Sequence, residues 1–110
     1  MATTRSETVG PAARPVAIPE RFLTDGTAQI RGEVFLPLHI WWSKPDRSLD
    51  LDDRQQLIRA YGLVLAEGTE ADVLRFIDPV VLLSIWNELL IPRHVQKAWE
   101  AAFSEWGVRP

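Results

Sequence analysis

An all-α fold is what this 110-residue sequence predicts: a compact bundle of about four helices, with a short extended or two-stranded N-terminal element. Three observations predict it. Apolar residues recur at the helical period in two long stretches of the second half. Helix start and stop signals punctuate that half. Strand character is confined to residues 28–42.

Residues 1–18 are rich in Thr, Ala and Pro and show no periodicity, so they are expected to form a mobile tail. Residues 19–110 then make a single helical domain, since a chain of this length supports one core. Residues 19–27 begin to pack through Phe22 and Leu23, and Asp25-Gly26 is a turn signal. Ile30 and the pair Val34-Phe35 flank Arg31-Gly32-Glu33, a pattern for a turn or a two-stranded ribbon. Pro37 lacks an amide donor, so a strand through it is an edge strand or stops there. His39-Ile40-Trp41-Trp42 reads as a second short strand, with His39 and Trp41 on one face and Ile40 and Trp42 on the other.

Residues 43–51 read as a polar connector. One of Asp50, Asp52 or Asp53 caps the next helix, which runs to Glu67 on the stripe Leu57, Ile58, Tyr61, Val64 and Leu65 and ends at Gly68 as a C′ glycine. Thr69-Glu70-Ala71-Asp72 is an N-cap with an acidic first turn, opening a short helix through Val73, Leu74, Phe76 and Ile77. Asp78-Pro79 starts a third helix, 79–90, apolar nearly all round and therefore expected to be the most buried. Pro92 stops it and opens the last helix, 92–106, with Val95, Trp99, Ala102, Phe103 and Trp106 in its stripe and Gly107 as its stop. The expected core is Leu57, Tyr61, Val64, Phe76, Leu82, Trp86, Leu89, Trp99 and Phe103.

The net charge is −3, with the acidic excess in residues 43–78, which argues against a general nucleic-acid binder. No uncharged apolar run approaches the roughly 20 residues of a membrane span. With no cysteine and no signal-peptide pattern at the N-terminus, the expected location is the cytoplasm.

Catalytic patterns are not found. The two histidines, His39 and His94, sit far apart without HxH or HExxH spacing, so no metal or other cofactor is expected. Ser43 and Ser84 lack a nucleophile elbow, and Ser84 is expected to bond its own backbone. The glycines are dispersed, without a phosphate-binding pattern. Asp46, Asp50, Asp52 and Asp53 could pair for acid–base work, but between Arg47 and Arg54 a solvated cap region is the simpler reading. The chain is expected not to be an enzyme.

The aromatic stretch 35–43 is the best partner-contact candidate. Five tryptophans suit either a tight core or an interface. In an extended segment Trp41 and Trp42 point oppositely, so one can face out as an interface anchor; a local bend would instead bury both. His39 is either a partly buried histidine bonded to backbone or a functional contact. The candidate partner-binding residues are Phe35, Leu36, His39, Trp41, Trp42 and Arg47.

One resemblance sharpens this. Leu36-Pro37-Leu38-His39-Ile40-Trp41-Trp42-Ser43-Lys44-Pro45, Arg59-Ala60-Tyr61, Val64-Leu65-Ala66-Glu67-Gly68-Thr69, Asp72-Val73, Phe76-Ile77-Asp78, Ile91-Pro92, Val95 and Ala98-Trp99 together resemble small actinobacterial proteins encoded beside nucleotidyltransferase-type toxins. The resemblance spans residues 30–106. It implies an antitoxin-like inhibitor or accessory partner of a toxic enzyme, with the helical domain docked on the toxin and the N-terminal arm extending the contact. There is no recognisable winged helix, which puts autoregulation in doubt. Two other functions stay open: a small transcription regulator using the helices 70–77 and 79–90, though the second is too apolar to read a groove, or a ligand-binding protein with an aromatic pocket at His39 and Trp41.

Overall fold

The computed structural model describes residues 16–24, 28–41 and 48–110. Residues 1–15 of the expected tail, and the candidates Trp42 and Arg47, lie outside the described residues. The chain is mostly helical but not purely all-α, because a two-stranded antiparallel sheet is built into it.

Strand β1 (Glu33–Phe35) pairs with β2 (Ser48–Asp50), in the register Glu33 to Asp50, Val34 to Leu49 and Phe35 to Ser48. The sequence suggests a turn or ribbon around Arg31-Gly32-Glu33 and a second short strand over His39–Trp42; the second strand is corrected, since His39, Ile40 and Trp41 form no strand and β1 pairs with residues 48–50 instead. The Pro37 carbonyl accepts from the amides of Ile40 (3.0 Å) and Trp41 (3.2 Å), so the chain turns there. Residues in a turn no longer alternate between opposite faces, and Ile40 and Trp41 both point into the core. The true partner strand lies in the stretch read as a connector. It holds one inward residue, Leu49, too short a run for periodicity to register.

Helix α1 (Arg54–Glu67) is capped by Asp53, whose Oδ1 accepts from the amides of Gln55 (3.0 Å) and Gln56 (3.2 Å). Its two aspartate neighbours do other work. Asp52 accepts from Arg31 Nε (2.7 Å) and the Gly32 amide (3.2 Å), clamping the left-handed turn at Gly32 (φ 76°) that leads into β1. Asp50 Oδ1 accepts from the Asp52 amide (2.9 Å). Gly68 ends the helix as expected, but in an extended conformation (φ −84°), not the left-handed one of a C′ glycine. It is needed for space: a Cβ there would lie 2.6 Å from the Val64 carbonyl oxygen.

Helix α2 (Glu70–Phe76) opens with Thr69 as the expected N-cap, and Asp72 closes a capping box with it. Helix α3 (Pro79–Ile85) opens on Asp78 and Pro79 as expected, the Asp78 carboxylate accepting from the Val81 amide (3.0 Å). It is seven residues long and passes into a 3₁₀ turn, Trp86–Glu88. The expectation of a long, central 79–90 helix is therefore corrected. The residue before a proline is disfavoured in helical geometry; Leu89 is extended, residues 89–91 lie outside any helix, and the Leu90 carbonyl passes α1 over Gly62. Only Leu82 and Ile85 of α3 are buried, while Val80 is 75% exposed and Leu90 beyond it 94%.

The helix that carries the aromatic core is the last, α4 (Arg93–Trp106). Trp99 packs edge-on to Phe22 at 5.1 Å, and Phe103 to Trp86 at 4.9 Å, with Trp106 closing the cluster. Gly107 (φ 72°) terminates it in the left-handed conformation, its amide reaching the Ser104 carbonyl. Six of the nine expected core residues are fully buried; Leu57, Phe76 and Leu89 pack partly buried against the rest. The core also takes in Ile18, Phe22, Val34, Leu36, Ile40, Trp41, Leu49 and Leu51. Ile18, with Val16 packed beside it, thus belongs to the folded body and not to the tail in which the sequence placed it.

Candidate functional site

The surface beside β1 is built by three elements. In β1 only Val34 faces inward, so Glu33 and Phe35 face out, and Phe35 is 63% exposed. Leu36 then turns in and is buried. The turn after Pro37 carries Leu38 outward, 59% exposed, and sets His39 beside α2.

Helix α2 forms the third wall. His39 Nε2 donates to Asp72 Oδ2 at 2.6 Å, while Phe35 borders a shallow cavity with Arg75 and Phe76. Asp72, Arg75 and Phe76 are neighbours on one helix face, being three and four residues apart. One face of α2 therefore receives both the strand and the turn. The cavity between them measures about 370 Å³ and is lined by Gln29, Glu33, Val34, Phe35, Arg75 and Phe76. The Arg75 guanidinium stacks 4.8 Å from the centre of the Phe76 ring.

Asp72 is what fastens this surface. Its Oδ2 accepts from the Thr69 amide (2.8 Å), the Thr69 hydroxyl (3.0 Å) and His39. Burial pushes its carboxyl up, yet the hydrogen bonds from His39 and Thr69 outweigh that and hold it below the usual carboxylate range. The threonine hydroxyl points at the carboxylate, not at the imidazole, so the trio ties a loop to a helix start and has no nucleophile–base relay. His39 keeps half of its side chain in water, and its partner is a side chain and not the backbone expected of a buried histidine.

The sequence-derived candidates separate accordingly. Phe35 and His39 are both exposed, Phe35 at the cavity and His39 beside Asp72. Leu36 and Trp41 lie inside, Trp41 only 9% exposed with the Arg59 guanidinium 5.3 Å over its ring. Leu38 and the α2 residues Arg75 and Phe76 also border this surface and are not among the sequence-derived candidates. Leu38 is a lone leucine between Pro37 and His39, and only the turn shows which way it points.

A larger groove lies elsewhere. It measures about 580 Å³ and follows the outer side of α1 from Asp53 to Glu67, with Leu90 as one wall. Three of its polar groups are engaged within the fold: Asp53 caps α1, Gln56 accepts from the Asp50 amide (2.8 Å), and Arg59 covers Trp41. Among the described residues no three His, Asp or Glu side chains are grouped to hold a metal ion, and no helix is long and apolar enough to cross a membrane. No family model matches the chain, and no solved structure matches it.

Proposed function

We propose that this protein is a protein-binding module and not an enzyme, acting as an antitoxin-like inhibitor or accessory partner of a toxic enzyme. The carrying observation is the pair of large apolar side chains, Phe35 and Leu38, held in water on a strand and turn whose neighbours are buried. Exposed aromatic anchors on a firm scaffold are what interface hot spots are made of. The partner named is the one the resemblance of residues 30–106 implies, a nucleotidyltransferase-type toxin.

Affinity capture of the tagged protein from its native cells tests the reading. The unaltered chain should retain a stoichiometric protein partner, identified by mass. Phe35→Ala combined with Leu38→Ala should lose it with an unchanged far-UV circular dichroism spectrum. Equal retention by both proteins would remove this surface from the function. A partner without toxic activity would keep the module and discard the antitoxin role.

A further inference from the structure

The outer edge of β1 has hydrogen-bonding groups to spare. The Leu51 amide donates to the Gly32 carbonyl at 2.8 Å, so the Gly32 carbonyl faces β2 at the position next to the Glu33–Asp50 pair, while the Gly32 amide goes to Asp52. Antiparallel pairs alternate, so Val34 also bonds toward β2, and the amides and carbonyls of Glu33 and Phe35 point the other way. On that side the Glu33 carbonyl accepts from Gln29 Nε2 (2.9 Å). The Phe35 amide and carbonyl take no partner among the described residues. Gln29 also lines the cavity bounded by Arg75 and Phe76, so the cavity opens along this edge.

We infer that the partner binds here as an added β-strand, an extended segment laid between β1 and α2. This rests on reading the Phe35 surface as a protein-docking surface. A strand is singled out because an unpaired backbone edge beside a side-chain pocket is the recognition mode of strand addition. The segment exchanges two hydrogen bonds with the Phe35 backbone and puts one apolar side chain into the cavity against Val34 and Phe76. It carries a carboxylate toward Arg75, a cation in the last turn of α2 with no carboxylate partner among the described residues. The Gln29 amide already stands where a strand's N–H would reach the Glu33 carbonyl.

The test pans the full-length protein against a random-sequence peptide library and follows the enriched peptides by amide hydrogen exchange. Enriched peptides should pair an apolar residue with a nearby Asp or Glu. Binding should slow exchange of the Phe35 amide roughly tenfold or more, as closing a ladder bond does, and leave Val34 nearly unchanged. Phe35→Pro should abolish binding while preserving the fold, since proline is accepted where an edge amide faces solvent; if that variant fails to fold, exchange on the unaltered chain decides alone. Arg75→Gln should weaken binding several-fold. Strand addition is overturned if no peptide is enriched, or if peptides bind with Phe35 exchange unchanged. Peptides lost on Phe35→Ala but indifferent to the Phe35 amide would overturn strand addition while leaving the docking surface standing.

Discussion

Asp72 is the buried charged residue of the described core, and one of its oxygens serves two elements. Its carboxyl is held below the ordinary value of about 3.9. A depressed carboxylate contributes stability that is fully present above the unfolded pKa and lost as pH falls through the folded one. Denaturant midpoints of the unaltered protein should therefore fall as pH drops below about 4, and those of Asp72→Asn should fall less. At neutral pH that variant should cost about 1–2 kcal/mol, the scale of a lost cap plus a lost side-chain bond. Tyr61, the single tyrosine, behaves oppositely. Burial pushes its hydroxyl up to about 12, against a smaller lowering by the Asp78 amide that donates to it at 3.1 Å. A raised acid contributes stability present below its unfolded value, near 10, and lost as pH rises through the folded one. Ultraviolet titration should show no phenolate until about pH 12 or until the chain unfolds, whichever comes first.

Among the elements, α3 departs furthest from its sequence. Pro-Val-Val-Leu-Leu-Ser-Ile has no polar face, so composition alone puts it at the centre. It lies at the surface because its seven residues offer two inward positions, Leu82 and Ile85, and the chain departs from α-helical geometry at Ile85 (φ −112°), passing into the 3₁₀ turn that carries the Trp86 indole to Phe103. Leu82→Ala should cost about 2–5 kcal/mol, and Val80→Ala less than about 0.5 kcal/mol. Chemical denaturation of the two variants checks this; comparable losses would mean that the buried side of α3 is misassigned. Ser84 fits the same picture, its hydroxyl donating to the Val81 carbonyl at 2.7 Å on an exposed side of the helix.

For the whole molecule, stability is concentrated where α4 meets Phe22 and Trp86. Trp99 is fully buried, and its indole N–H has no acceptor among the described residues. An orphaned donor costs about 1–3 kcal/mol, while burying so large a ring is worth roughly 4–6 kcal/mol at the usual area coefficient. The ring wins. Trp99→Ala or Trp86→Ala should cost about 3–5 kcal/mol, enough to unfold much of a domain this small. Trp99→Phe should cost less than Trp99→Ala, because it keeps ring contacts and removes the stranded donor. Thermal melting followed by circular dichroism tests the series; a shift of only a few degrees for Trp99→Ala would refute its place at the centre.

What the sequence determined by itself was local. The Thr69 cap, Asp78-Pro79, Gly68 and Gly107 mark helix ends through bonds and clashes within a few residues of each other, so they were legible before any fold was known, whereas the sequence narrowed the cap of α1 only to Asp50, Asp52 or Asp53. The same holds for α1 and α4, whose stripes are long enough to show a period. Phe35 and His39 stood out as aromatic and polar members of one stretch, and the surface includes both. The tertiary structure decided what depends on partners distant in sequence. Leu49 needed β1 before its stretch could be a strand. Trp41 needed the Pro37 turn and Arg59 before it could be buried. His39 needed Asp72, on another element, before its turn could be fixed beside α2. Residue type alone cannot supply these, because hydrogen bonds and packing between distant segments are set only when the whole chain closes around one core.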